Sequence, residues 1–286
     1  MKIAHVILAH SKPSQLERLV KTLVHEDSVI LVHIDMKCRL GEYDFLKSYP
    51  GVEFSEERYS VHWGGFSLVK AIMSAFRQLY RSDFAFDYVN LISGQDFPIK
   101  PLKEFRDFLK EDISRNFIEF YSPGHDWVKE TKHRIRRYHF TDFKFKGSTL
   151  LETVVNYILP YKKLPSDFEI IGHSGWFTLT REGVKYLIDY FESHRSFIGK
   201  FKFSWGSDEF LLQSILYNSK LQPTIVNNNL RYIDWSEGKA SPKVLTISDK
   251  VSLEGSSSFF ARKFDDTVDA EILNHLEKFV CNPYNE

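Results

Sequence analysis

The chain has 286 residues, 43% of them apolar, which is enough to bury one large core, so a single catalytic domain over residues 1–286 is the expectation. With 38 basic and 38 acidic residues the formal charge is zero. No global field would draw the chain to nucleic acid or to an anionic membrane, and any basic site must be local.

The first ten residues contain an apolar run interrupted by His5, too short for a membrane span and without the three-part layout of a signal peptide. Cys38 and Cys281 are the two cysteines. They make neither a disulfide framework nor a metal-ligand cluster and suit a reducing compartment. The expectation is a cytoplasmic protein with at most peripheral membrane contact, made through its substrate.

Residues 3–9 form an apolar run that reads as a buried strand. Ser11-Lys12-Pro13-Ser14 then offers a cap candidate and a proline for a first turn, followed by Leu16, Leu19, Val20, Leu23 and Val24 at helical spacing. A second apolar run covers residues 28–34. Strand, helix and strand at this spacing form a βαβ unit with parallel strands and a right-handed crossover. Asp35 closes the second strand, where the carboxyl ends of such sheets hold ligands such as a ribose or a base.

A helical pattern over residues 67–80 precedes an apolar strand at 88–92, which ends in the turn cluster Ser93-Gly94-Gln95-Asp96-Phe97-Pro98. Residues 121–147 gather His125, Trp127, His133, Arg134, Arg136, Arg137, Tyr138 and His139. Such a segment is either a functional cover over a cleft or a solvated face with aromatic anchors. Further on, residues 175–179 read as a strand, and a helix starts at Arg181. Residues 208–216 read as a buried helix with Ser207 as its cap and two acids in its first turn.

The chain has no GxGxxG, GxxxxGK[ST], HExxH or GxSxG, which argues against dinucleotide, P-loop, zincin and α/β-hydrolase chemistry. It also has no Asp-x-Asp pair of the kind that holds a divalent ion on a diphosphate. A nucleotide-sugar enzyme built this way must neutralise its leaving group by other means. Phe259-Phe260-Ala261-Arg262-Lys263-Phe264 supplies two adjacent cations inside an apolar run. Burying them is costly unless an anion meets them, and a diphosphate suits an arginine fork beside a lysine point charge. The plainer alternative is a pair that snorkels from an edge strand. Glu209 could serve as the general base of an inverting transfer, or it could, with Asp208, simply complement a helix dipole. His62-Trp63-Gly64-Gly65 could be a cleft wall or a packed turn. The eleven histidines show no metal-ligand spacing.

Taken in order, Val32-His33-Ile34-Asp35, Trp63-Gly64-Gly65, Asn90-Leu91-Ile92-Ser93-Gly94-Gln95-Asp96-Phe97-Pro98-Ile99, Asn228-Asn229-Leu230-Arg231 and the Phe259 to Phe264 run resemble glycosyltransferase family fourteen. That family includes peptide O-xylosyltransferases and the core-2/I-branching β-1,6-N-acetylglucosaminyltransferases, and the resemblance covers residues 3–275. It implies an α/β, GT-A-like single domain whose central sheet is mixed, mostly parallel and flanked by helices. It also implies inversion at the anomeric carbon and a UDP-sugar donor held without a divalent metal or other cofactor.

By this resemblance Leu8 and Asp35 hold the uridine, and Val61, His62 and Trp63 form the next wall. Gly175 and Trp176 lie near the donor sugar, Glu209 is the catalytic base, and Ser241, Arg262 and Lys263 contact the diphosphate. Arg231 and Lys243 are candidates for a second cation. Asp96, Arg231, Tyr232, Asp234, Trp235 and the 121–147 segment are candidates for the acceptor. The xylosyltransferase-like members carry Asp-Trp where this chain has Gly175-Trp176, so the donor sugar need not be xylose; N-acetylglucosamine or xylose is the expectation. The disulfides, stem and anchor of Golgi members have no counterpart here, which fits a microbial enzyme. The expected acceptor is a hydroxyl of an oligosaccharide or lipid-linked glycan in surface polysaccharide synthesis. The alternatives are a non-catalytic carbohydrate-binding protein on the same fold and a nucleotide-sugar hydrolase.

Overall fold

A computed structural model of the protein describes residues 1–281 except Lys144. Residues 282–286 of the expected domain, and that one lysine of the aromatic and basic segment, lie outside the described residues. The chain begins with β1 (Ile3–Ala9), α1 (Pro13–Leu23), β2 (Ser28–Ile34), β3 (Val52–Phe54), α2 (Phe66–Arg81), β4 (Tyr88–Ser93) and β5 (Asp96–Pro98). It continues with α3 (Leu102–Lys110), β6 (Asn116–Tyr121), α4 (Asp126–Arg136), α5 (Ser148–Ile158), β7 (Gly172–Thr180), α6 (Arg181–Ser193) and α7 (Arg195–Gly199). The last elements are α8 (Leu211–Tyr217), β8 (Ile225–Asn227), β9 (Arg231–Ile233), α9 (Lys250–Glu254), β10 (Phe260–Arg262) and α10 (Glu271–Val280).

The main sheet runs in the order β3-β2-β1-β4-β7-β6-β8. β1 pairs parallel with both β2 and β4, and β7 lies antiparallel between β4 and β6. This is the mixed, mostly parallel sheet flanked by helices expected of an α/β, GT-A-like fold. The first two strands are apolar along their length because both faces are covered. Ala4, Val6 and Leu8 pack with α2, α6 and α8, while Ile3, Ile7 and Ala9 pack with α1, α3 and α10. Alternate residues therefore feed opposite cores, as the period of two requires. His5 is the polar exception: burial, Arg106 and Arg231 push its pKa down to about 3, and its Nδ1 lies 3.1 Å from the Asn90 amide.

A smaller sheet, β5-β10-β9, stands beyond the carboxyl end of β4. β10 is antiparallel to β5 and parallel to β9. This pairing places Arg262 opposite Asp96 and carries Arg262 and Lys263 back over the ends of β1 and β2, where the cleft opens.

Candidate active site

A cleft of about 600 Å³ lies over the carboxyl ends of β1 and β2, as the parallel part of the sheet dictates. One end is built from Leu8, His33 and Asp35 at those strand ends, with Val61, His62 and Trp63 along the side. Asp35 is 3% exposed and its carboxylate is held in place. It accepts from the Lys37 backbone N–H at 2.8 Å and the Val61 N–H at 3.2 Å. His33 accepts from the Tyr59 N–H at 3.0 Å, and burial pushes its pKa down to about 4, which keeps the ring neutral. Trp63 is 66% exposed and meets Trp205 edge-on, with ring centroids 5.0 Å apart. The turn that Trp63 begins needs glycine. Gly64 has φ +70°, and a Cβ there would sit 2.7 Å from the Trp205 indole nitrogen.

The helix expected over residues 208–216 is interrupted. Ser207–Glu209 form one 3₁₀ turn, Phe210 departs from helical geometry at φ −141°, and α8 starts only at Leu211. Ser207 caps nothing: its hydroxyl donates to the Phe201 and Ser204 carbonyls, both at 3.2 Å. The two acids therefore precede the helix, on a turn that Gln213 ties down by donating to the Ser174 carbonyl at 2.6 Å and the Asp208 carbonyl at 3.0 Å. β7 presses on the same turn. A Cβ on Gly172 would lie 2.1 Å from the Glu209 carbonyl oxygen, so only glycine allows the approach.

Both acids line the cleft. Removal from water raises the Glu209 carboxyl to about 8; the neighbouring Asp208 adds to this, and Arg134 opposes it. The Asp208 carboxyl is raised to about 6, also by burial, with Arg262 easing the shift. Asp208 Oδ1 is shielded and has no hydrogen-bond partner among the described residues.

The Arg262 guanidinium, also in the cleft lining, stacks 4.3 Å over the Trp176 ring. Its Nε is 3.2 Å from Asp96 Oδ1, close enough for an ion pair but misaligned for a hydrogen bond. Burial lowers its pKa, and Asp96 and then Asp208 oppose that shift. Lys263 also lines the cleft, and its Nζ donates to Ser241 Oγ at 2.8 Å. The donor-side expectations thus converge: Leu8, Asp35, Val61, His62, Trp63, Gly175, Trp176, Glu209, Ser241, Arg262 and Lys263 all border one cavity.

The acceptor-side candidates do not gather on the cavity wall as the donor-side ones do. Asp96 is buried, accepts from the Ser93 N–H at 2.9 Å and its hydroxyl at 2.8 Å, faces Arg262 and does not line the cavity. Arg231 is buried at the junction of the two sheets. It donates to the Leu91 and Phe177 carbonyls at 2.9 and 3.0 Å, to Thr178 Oγ1 at 3.0 Å, and to Asn90 and the Asn229 carbonyl. Its two terminal nitrogens are taken up by these acceptors, its Nε has no partner among the described residues, and the side chain does not line the cleft. Lys243 is tied to Asp249 at 2.6 Å outside the cleft wall. Tyr232 packs against the core behind β10, whereas Trp235, 46% exposed, does border the cleft.

Four titratable residues of the cleft escaped the sequence reading. Lys37 lies 3.4 Å from Asp35, and His10, His173 and Glu119 complete the wall. Burial raises the Glu119 carboxyl, which accepts from Asn229 Nδ2 at 2.6 Å. An acid in the middle of the apolar run Asn116–Tyr121 was the available signal. Among the described residues, no group of three or more His, Cys, Asp or Glu is arranged to hold a metal ion.

The profile of the Core-2/I-Branching enzyme family matches residues 3–254. The chain belongs to this family of glycosyltransferases. It is 26% identical over 296 residues to xylosyltransferase oxt of Drosophila melanogaster, covering 94% of this chain and 32% of that protein. Xylosyltransferase 2 of Homo sapiens is 25% identical over 309 residues, covering 99% of this chain and 34% of that one. The chain spans about a third of the length of the curated relatives it matches. Among solved structures it is similar to the apo form of mouse xyloside xylosyltransferase 1, with a TM-score of 0.44 and 10% identity over 93% of this chain and 99% of that one.

Within this Core-2/I-Branching family member, Gly175 lies in the cleft wall against Asp208. A Cβ there would lie 3.3 Å from Asp208 Oδ2. A carboxylate at 175 would crowd Asp208.

Proposed function

We propose that the chain is an inverting, metal-independent glycosyltransferase that moves a sugar from a UDP-sugar to a glycan hydroxyl in the cytoplasm, in the synthesis of a surface polysaccharide. The donor is UDP-xylose or UDP-N-acetylglucosamine. The observation that carries this reading is that Glu209 and the Arg262-Lys263 pair open onto one cavity of about 600 Å³, a size that suits a nucleotide-sugar.

In this reading the uridine lies against Leu8, Asp35 and the Val61 to Trp63 wall, and the diphosphate lies against Arg262, Lys263 and Ser241. Glu209 takes the proton from the acceptor hydroxyl. The acceptor oxygen bonds to the anomeric carbon as the bond from that carbon to the β-phosphate oxygen breaks, and the electron pair leaves with UDP. Attack opposite the leaving group inverts the anomeric centre. The fixed cations stabilise the charge that gathers on the departing diphosphate without having to reorganise. A carboxyl raised to about 8 is strongly basic once deprotonated, which suits proton abstraction from a sugar hydroxyl.

The test is a panel of UDP-sugars with oligosaccharide acceptors, following UDP release and the anomeric configuration of the product by NMR. Acceptor-dependent release with inversion, persisting in excess EDTA, supports the proposal. Retention of configuration, or loss on chelation with recovery on adding Mn²⁺, refutes it.

A further inference from the structure

A surface helix ordinarily turns its apolar stripe inward. α5 does the reverse. Leu150, Leu151, Val154, Tyr157 and Ile158 fall on one face at helical spacing, with exposures from 40% to 91%, and no residue of the helix is buried. Its polar face holds it to the body instead. Glu152 accepts from the Phe140 N–H at 2.9 Å, and Asn156 accepts from the Tyr138 N–H at 2.8 Å while donating to the Tyr138 carbonyl at 2.7 Å. Phe143, Phe145, Leu159 and Tyr161 prolong the exposed apolar surface at both ends.

The rim is basic. Residues 129–163 contain nine lysines and arginines against three acids, in a chain with no net charge. Two of those acids are engaged inward, Asp142 on Ser67 and Glu152 on Phe140. Lys129, Lys132, Arg136, Lys146 and Lys163 are exposed.

We propose that this face seats the protein on an anionic lipid bilayer, with α5 lying in the plane of the headgroups. A helix of 11 residues, about 16 Å long, cannot span a bilayer, but its apolar ridge can enter the interface while the cationic rim meets lipid phosphates. A second copy of the chain is the weaker occupant. A two-fold contact through this face would set the same basic rim against itself. The surface is also coupled to the cleft: Arg134 of α4 stacks 4.7 Å over Trp205, which meets Trp63 in the cleft wall. Resting on the functional reading above, this geometry would bring a lipid-carried glycan acceptor to the cleft that holds Glu209.

The experiment is flotation of the full chain with vesicles of phosphatidylcholine alone and of phosphatidylcholine mixed with phosphatidylglycerol. Binding is expected to the mixed vesicles only, weakened by salt. Leu150→Glu combined with Val154→Glu and Ile158→Glu should cut the bound fraction about ten-fold or more with an unchanged melting temperature, because all three side chains are exposed. Arg136→Glu with Lys146→Glu should lower binding to the mixed vesicles as well. Undiminished binding by the triple variant, no binding by the wild type, or a dimer in sedimentation that the triple variant dissolves would each overturn the proposal. Failure of UDP release with a soluble acceptor would instead strike the functional reading and leave the flotation result standing.

Discussion

Replacing Arg262 by Met separates two duties of one side chain. The guanidinium faces a carboxylate, Asp96, that is wholly buried. Removing one partner of a buried ion pair typically costs about 3–5 kcal/mol, because the other charge is left uncompensated. At about 2 °C per kcal/mol for a chain of this size, the melting temperature of Arg262→Met should fall by about 6–10 °C. The same substitution deletes a charged contact to the diphosphate, worth about 1.5–3 kcal/mol, so UDP affinity should fall about 10- to 100-fold. Adding Asp96→Asn removes the stranded charge. The double variant should regain most of the lost melting temperature and none of the lost affinity, by differential scanning fluorimetry and calorimetry respectively. If Asp96→Asn also restored UDP binding, or if Arg262→Met melted lower while binding UDP normally, Arg262 would be a structural residue only.

Two further outcomes follow from the site. Lys263→Ala should weaken UDP binding about ten-fold, more at low salt than at high, while the melting temperature stays within about 1 °C, since the partner of Lys263 is a single hydroxyl. A base must be deprotonated to act, and Glu209 is raised to about 8, so kcat/KM should climb with pH through that region and fall below it. Asp208→Asn should move this limb to lower pH, because a like charge that raises Glu209 has gone. A limb at the ordinary glutamate value, or one that Asp208→Asn leaves in place, would rule out the desolvated acid pair.

The parts of the fold visible in the sequence were those set by local periodicity. The apolar runs at β1 and β2, with α1 between them, required a parallel unit covered on both faces, and Asp35 then had to stand at its ligand-binding end. Arg262 and Lys263 stood out because cations inside an apolar run are costly unless an anion meets them; in the structure Asp96 meets Arg262 and the Ser241 hydroxyl meets Lys263. Partner choice was not legible. Arg231 looked as suited to an anion as Arg262, yet its guanidinium closes on carbonyls of β4 and β7, strands more than fifty residues away in sequence. Asp96 was visible as a polar group at a turn, but only the β5–β10 pairing shows that it faces Arg262. The acids of 208 and 209 read as a first helical turn because Phe210 carries no local breaker signal; the break comes from β7 pressing on the turn through Gly172. The outward apolar face of α5 was equally hidden, since periodicity reveals a stripe without saying which side faces the protein.

The central claim is that the Glu209 carboxylate, which borders the same cavity as Arg262 and Lys263, takes the acceptor proton. Its most direct test is Glu209→Gln, in which UDP affinity and single-turnover sugar transfer are measured on the same preparation. The account predicts near-normal UDP binding with transfer reduced about 10²- to 10⁴-fold. Sugar transfer by the Glu209→Gln variant at the wild-type rate would contradict it.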